Sequence, residues 1–132
     1  MQLHDRNQAS PQSKVKLFGL VCLVVIAVTI PFTFPHFTHP SMIYHIILHI
    51  ASLAIAIFLS YIAVTSYVRS GRARLLFMAL GFVTLAILEI LMLLSATGNL
   101  EESVIPDVNV ELPHVVLLVM ITLFGIGVLK VN

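Results

Sequence analysis

Charged residues, cysteine and tryptophan are scarce in this chain of 132 residues. Asp, Glu, Lys and Arg together make up 10% of the sequence, tryptophan is absent and there is a single cysteine. Because Cys22 is alone, an intramolecular disulfide, a CxxC redox pair and a cysteine zinc cluster are excluded. The few basic residues are not concentrated as they are in nucleic-acid-binding proteins, so we expect no nucleic-acid partner.

Motifs of the common enzyme and nucleotide sites are absent as well. The chain has no HExxH, GxSxG, P-loop, GxGxxG or CxxCH motif. The segments between its apolar runs are too short to form a catalytic or receptor domain. We therefore predict that the protein is not an enzyme. An enzyme of lipid chemistry would need a nucleophile or an acid pair at the membrane interface, and only Glu89 with His49 comes close.

Long apolar runs dominate what is present, and 59% of the residues are hydrophobic, well outside the usual composition of soluble proteins. In the runs at residues 42–68 and 75–97, the only groups that carry charge near neutral pH are His45, His49 and Glu89. Each run exceeds the roughly 20 residues that cross about 30 Å of hydrocarbon as a helix. Because lipid offers no partner to backbone polar groups, we predict a helical transmembrane hairpin.

The whole chain is predicted to be all-α, an integral membrane four-helix bundle. We expect a flexible cytoplasmic tail at residues 1–16 and a single transmembrane domain at residues 17–132, with helices at about residues 17–34, 42–68, 74–97 and 113–130. The first run follows a basic segment, as a signal peptide does. It ends in bulky residues where a cleavage site would have small ones, so we expect this helix to be retained.

Three local signals support these boundaries. Ser41 is a plausible N-cap for the second helix. Gly98 and Asn99 form a stop signal after the third helix. Pro113 suits the first position of the fourth helix, where its missing N–H costs nothing.

The distribution of charge predicts the orientation in the membrane. All basic residues fall on one side of the predicted bundle, namely Arg6, Lys14, Lys16, Arg69, Arg72, Arg74 and Lys130. The loop acids fall on the other side, namely Glu101, Glu102, Asp107 and Glu111. By the positive-inside rule, we expect a protein of the cell membrane with both termini in the cytoplasm. The outer side receives most histidines: His36, His39, His45 and His114.

A polar face runs along the second predicted helix. Its members recur at steps of three and four residues, namely His45, His49, Ser52, Ala56, Ser60, Ala63 and Tyr67. We interpret the small residues among them as a packing seam for a neighbouring helix. His49 and Glu89 are each about 10–12 Å from the outer end of their helices and can lie level. An ionisable residue at such depth is a functional candidate.

Four interpretations of this cluster remain open. His49 and Glu89 can hydrogen-bond and fix the register of their helices. Together with His45 and His114 they can form a copper or zinc site, because histidines at i and i+4 can chelate a metal ion. A haem held by His49 and His114 is disfavoured, since the two histidines differ in depth. Proton sensing or transfer by His49 and Glu89 is the fourth interpretation, although the inner half of the bundle offers no complete proton path.

Three short segments between residues 45 and 130 carry a resemblance to known proteins. They are the aromatic and basic turn at residues 66–74, and the apolar segments at residues 79–85 and 123–127. In these segments the chain resembles small multi-pass membrane proteins from archaea. The resemblance implies an integral membrane protein with three or four helices, and it implies no activity.

The function that we expect is that of a non-catalytic accessory subunit of a larger membrane complex. The lipid bilayer and other membrane subunits, or a second copy of the chain, are the predicted partners. The alternative is a copper- or zinc-binding membrane protein that uses an outward-facing cluster of His45, His49, Glu89 and His114.

Overall fold

Four α-helices make up most of the chain in the computed structural model, which describes residues 11–36, 40–100, 104–105 and 110–129. The helices are α1 (Pro11–Thr33), α2 (Pro40–Ser70), α3 (Ala73–Ala96) and α4 (Leu112–Leu129). All four are long and apolar enough to cross a membrane. The prediction of a helical chain with four candidate membrane spans is therefore confirmed.

Two short features lie outside the helices. A 3-10 turn, Phe34–His36, follows α1. Two strands of two residues each, β1 (Val104–Ile105) and β2 (Val110–Glu111), pair in antiparallel register before α4. The all-α prediction did not include this ladder, because a pairing of two residues leaves no periodic pattern in the sequence.

All four helices begin earlier than predicted. α3 and α4 do so by one residue, at Ala73 and Leu112, so Pro113 is at the second helical position instead of the first. α1 and α2 begin earlier by a larger margin. The first predicted helix starts at residue 17, whereas α1 begins at Pro11, so residues 11–16 of the predicted tail are helical. Residues 1–10 lie outside the described part. α2 begins at Pro40, which places Ser41 inside the first turn instead of at the N-cap. Proline is favourable at both starts, because the first helical N–H groups have no partner within the helix.

The end of α3 confirms the predicted stop signal. Gly98 adopts a left-handed φ of 67°, a conformation that costs glycine little. Its N–H donates to the carbonyl of Ser95 at 3.0 Å, and the N–H of Asn99 donates to the carbonyl of Leu94 at 2.9 Å. These two bonds form a Schellman motif, which satisfies the last carbonyl groups of the helix.

The helices pack as antiparallel neighbours in chain order. α2 contacts both α1 and α3, and α4 contacts α3. Between α1 and α2, the rings of Phe18 and Phe58 meet edge to face with centroids 5.1 Å apart. Val25 of α1 forms a small buried core with Leu53 and Ala54 of α2.

This arrangement gives the molecule two distinct ends. The turn between α2 and α3, formed by Gly71 and Arg72, lies at the same end as the start of α1. We call this end of the molecule the basic end, since it carries the described cations Lys14, Lys16, Arg69, Arg72 and Arg74. The opposite end holds the starts of α2 and α4 and the end of α3.

Glycine allows α3 and α4 to approach closely. A Cβ atom on Gly81 would lie 2.7 Å from Cε1 of Phe124, and one on Gly127 would lie 3.3 Å from Cβ of Phe77. The Phe124 ring is also held edge to face against Phe82, with centroids 5.1 Å apart. Phe124 therefore fills the space that a side chain at position 81 would need.

We predict that Gly81→Ala weakens the packing of α3 on α4. The added methyl group collides with Phe124, and overpacking of this kind costs about 1–3 kcal/mol. Thermal unfolding in detergent, followed by circular dichroism, measures the effect. Gly125→Ala is the matched control, because it adds the same methyl group to a helix position with nothing within 4 Å. Equal melting temperatures for the two variants would contradict the described contact.

Candidate functional site

An imidazole and a carboxylate meet between α2 and α3. Nδ1 of His49 lies 2.7 Å from Oε2 of Glu89. Only 11% of the His49 side chain and 14% of the Glu89 side chain are exposed. The sequence analysis predicted that these two residues can lie at equal depth, and this contact confirms it. The polar face of α2 is therefore directed at α3.

Ser52 provides the second partner of the same carboxylate. Its hydroxyl donates to Oε1 of Glu89 at 2.7 Å. Ser52 follows His49 by one helical turn, so one face of α2 presents both side chains to Glu89. Each carboxylate oxygen thus has a hydrogen-bond partner, which lowers the cost of burying this group.

The role of Ser52 was missed by the sequence analysis, which assigned it to a packing seam. Its spacing of three residues from His49 was the available signal, since it placed Ser52 on the face that was expected to meet Glu89. Across the described residues, no buried side-chain nitrogen or oxygen lacks a hydrogen-bond partner. The polar groups of this site are therefore satisfied by each other.

His45 extends the network toward the start of α2, at the end of the molecule opposite the basic end. Its Nε2 lies 3.2 Å from Nε2 of His49. The two rings are perpendicular, with centroids 4.6 Å apart. His45 is exposed whereas His49 is buried. A continuous line of contacts thus runs from an exposed imidazole through His49 and Glu89 to Ser52.

His114 lies apart from this line. Its Nδ1 is 3.3 Å from Oε2 of Glu111, and both side chains are more than half exposed. The structure gives His114 no hydrogen bond or ion pair with His45, His49 or Glu89. In the part of the chain that is described, no group of three or more His, Cys, Asp and Glu residues is arranged to hold a metal ion. His45 and Glu89 each contact His49, so three of the four predicted ligands are linked in a line without forming such a group, and His114 is not among them.

Several of the predicted loop and tail residues lie outside the described part of the chain. The side chain of His36 lies outside the described residues, and so do Arg6, His39, Glu101, Glu102, Asp107 and Lys130. The predicted outer histidine loop and most of the predicted acidic loop therefore stay predictions.

The alanines of the packing seam on α2 are buried. Ala56 is fully buried and Ala63 is 7% exposed. Ser60, between them, donates its hydroxyl to the carbonyl of Ala56 at 2.7 Å. The small residues on this face of α2 are thus used inside the chain, as the seam interpretation predicted.

Hydroxyl groups nearer the basic end do not continue the polar line. Ser66 donates to the carbonyl of Ile62 at 2.7 Å, and Thr84 donates to the carbonyl of Leu80 at 2.9 Å. These bonds stay within one helix. Ser66 and Thr84 therefore do not extend the line of contacts that includes Glu89.

Comparison of the chain with protein-family models, with curated proteins and with solved structures gave no match. The resemblance to small archaeal membrane proteins therefore stays a prediction.

We predict that Ser52→Ala destabilises the α2–α3 pair more than Ser60→Ala does. Ser52 bonds across the two helices, and such bonds in membrane proteins contribute about 0.6 kcal/mol on average and about 1.7 at most. Ser60 is a matched control, because it lies on the same face but bonds its own helix. Reversible unfolding in mixed micelles gives both free energies.

The same measurement in a Glu89→Ala background tests the cause. Ser52→Ala should have almost no effect there, because the acceptor of its hydroxyl is gone. An undiminished effect of Ser52→Ala in that background would show that Glu89 is not its partner.

Proposed function

We propose that the protein is a non-catalytic accessory subunit of a larger membrane complex, in which the outer faces of its helices contact other membrane subunits or a second copy of the chain. The observation that carries this proposal is the large apolar surface of the flanking helices. Gly127 is the one buried residue of α4, and Leu118 and Leu129 are 66% and 81% exposed. This surface suits lipid and apolar helices.

The centre of the molecule supports a structural rather than a catalytic role. His49, Ser52 and Glu89 bond each other across α2 and α3, so this network fixes the register of the two helices. The connection between them consists of Gly71 and Arg72, which is too short to contain a domain between these two helices. A fixed hairpin with apolar flanks is suited to assembly with other helices.

A groove beside α1 offers a further apolar contact. Its volume is about 330 Å³, and its walls come from α1, α2 and α3, with Phe32, Leu53 and Ile90 among them. Thr29, the one wall residue with a polar side chain, donates its hydroxyl to the carbonyl of Val25. In the proposed complex, apolar side chains of another subunit occupy this groove.

Purification in a mild detergent is the direct test. We expect the chain to elute with a partner protein or as a homo-oligomer, because its outer faces contact other helices in the membrane. Native mass spectrometry gives the composition. A single copy with no bound protein, both in mild detergent and in nanodiscs extracted directly from the membrane, would overturn the proposal.

Two matched variants locate the contact. Gly19 in α1 and Gly125 in α4 both have open space where a Cβ atom would lie. Gly19→Leu and Gly125→Leu therefore add bulk outward without a collision inside the chain. We expect at least one of them to release the partner at an unchanged melting temperature. Full retention by both would argue against contacts through these faces.

We further infer that the protein lies in the cell membrane with its basic end facing the cytoplasm. Both termini are then cytoplasmic. The described cations Lys14, Lys16, Arg69, Arg72 and Arg74 support this orientation, because cytoplasmic segments are enriched in Lys and Arg. Glu111 lies at the opposite end, as the predicted segregation of charge requires.

Labelling with a membrane-impermeant maleimide tests the orientation. In a Cys22→Ser background, Asn99→Cys should react in intact cells and Ser70→Cys only after permeabilisation, since both positions are exposed but lie at opposite ends. The background alone should not react. The reverse pattern would invert the proposed orientation.

A further inference from the structure

Two histidines on α2 turn the same ring nitrogen toward each other. Nε2 of His45 and Nε2 of His49 are 3.2 Å apart, and the two rings are perpendicular. The residues are one helical turn apart, so the helix itself sets this approach. Such a pair either shares one hydrogen or directs two lone pairs at one point.

The distance fits a shared metal ion. Imidazole nitrogens bind zinc at about 2.0–2.1 Å, and two of them at a tetrahedral angle are about 3.3–3.4 Å apart. The observed 3.2 Å between the two Nε2 atoms is close to this value. The spacing of the two Nε2 atoms is therefore compatible with binding one ion.

Nδ1 of His49, the ring nitrogen that does not face His45, has the kind of partner that it has in metal-bound histidines. Metal-bound histidines almost always give their second ring N–H to a carboxylate, a carbonyl or water, which fixes the tautomer and the ring orientation. Here Nδ1 of His49 lies 2.7 Å from Oε2 of Glu89, while Ser52 donates to Oε1. With Nδ1–H donating to Glu89, the neutral ring keeps the lone pair of Nε2 free.

We propose that His45 and His49 bind a zinc- or copper-class ion through their Nε2 atoms, with Glu89 as a positioning residue. This inference goes beyond the proposed function and does not rest on it. The proposed site differs from the four ligands predicted from the sequence. Glu89 contacts Nδ1 of His49 and is not a ligand of the ion, and His114 is not part of the site. His45 is exposed at the surface of the chain, so the remaining positions on the ion take ligands from outside the chain.

The choice of ion follows from the ligands. Imidazole suits zinc and copper, whereas magnesium and calcium prefer oxygen ligands. The apolar surroundings of α2 and α3 provide no competing thiolate, since the one cysteine, Cys22, lies in α1.

Equilibrium dialysis of the full chain in detergent, without a polyhistidine tag, tests the proposal. Zn²⁺ and Cu²⁺ are the probes, Mg²⁺ is the negative control, and bound metal is measured by mass spectrometry. We expect one Zn²⁺ or Cu²⁺ per chain, no Mg²⁺, and loss of binding in His45→Ala and His49→Ala. His114→Ala is the matched control and should bind as the wild type does.

Glu89→Gln tests the positioning role. It keeps the shape of the side chain and removes the charge, and loss of such an outer partner weakens metal binding about 10–100-fold. Wild-type affinity in Glu89→Gln would overturn the role of Glu89 and leave the two-histidine site standing. The electron paramagnetic resonance spectrum of bound Cu²⁺ should show coupling to two imidazole nitrogens in the wild type and to one in any residual complex of His45→Ala.

The proposal is overturned if the wild type binds no stoichiometric metal, or if His114→Ala loses as much metal as His45→Ala. In the first case the contact between the two rings is a hydrogen bond only. His45→Ala is the decisive variant should His49→Ala fail to fold, because His45 is exposed and its loss leaves the bonds among His49, Glu89 and Ser52 intact. The metal test and the search for a bound partner use separate readouts, so each proposal can fail alone.

Discussion

The burial of one carboxylate governs how the helices of this molecule fit together. Glu89 lies inside an apolar helix, and a charged side chain at the centre of a membrane helix costs about 2.5–3.5 kcal/mol on insertion scales. One face of α2 supplies partners to both of its oxygens, through His49 and Ser52. A slide of α2 along its axis by one turn, or a rotation of α2 about that axis by half a turn, would leave the carboxylate without them, so the polar bonds select a single register.

The rest of the chain is held by weaker and less specific means. α4 packs on α3 through glycines, with Phe124 filling the space over Gly81. α1 packs on α2 through Val25 and the contact between Phe18 and Phe58. In lipid, apolar contacts between helices gain little over contacts with acyl chains. The molecule therefore has a centre with one defined register and flanks whose outer surfaces are open to lipid or to other helices.

The sequence allowed the helices and the level of His49 and Glu89 to be predicted, because hydropathy and the rise per residue determine both. It did not reveal Ser52 as a partner of Glu89, since that depends on how α3 is rotated about its own axis. The place of His114 was also not predicted, because hydropathy and helical periodicity do not determine how α4 is placed against α2 and α3. The start of α1 at Pro11 was not predicted, because the helix includes polar residues that precede the apolar run detected by hydropathy.

The network has two halves that can act separately. Ser52, Glu89 and Nδ1 of His49 fix the register from positions that are partly or fully buried between α2 and α3. Nε2 of His49 and the exposed His45 contribute nothing to that register. Because an imidazole carries two nitrogens on opposite sides of its ring, His49 can take part in both halves at once. The contact between the Nε2 atoms of His45 and His49 can therefore be replaced by contacts with another partner, while the contact between α2 and α3 stays unchanged.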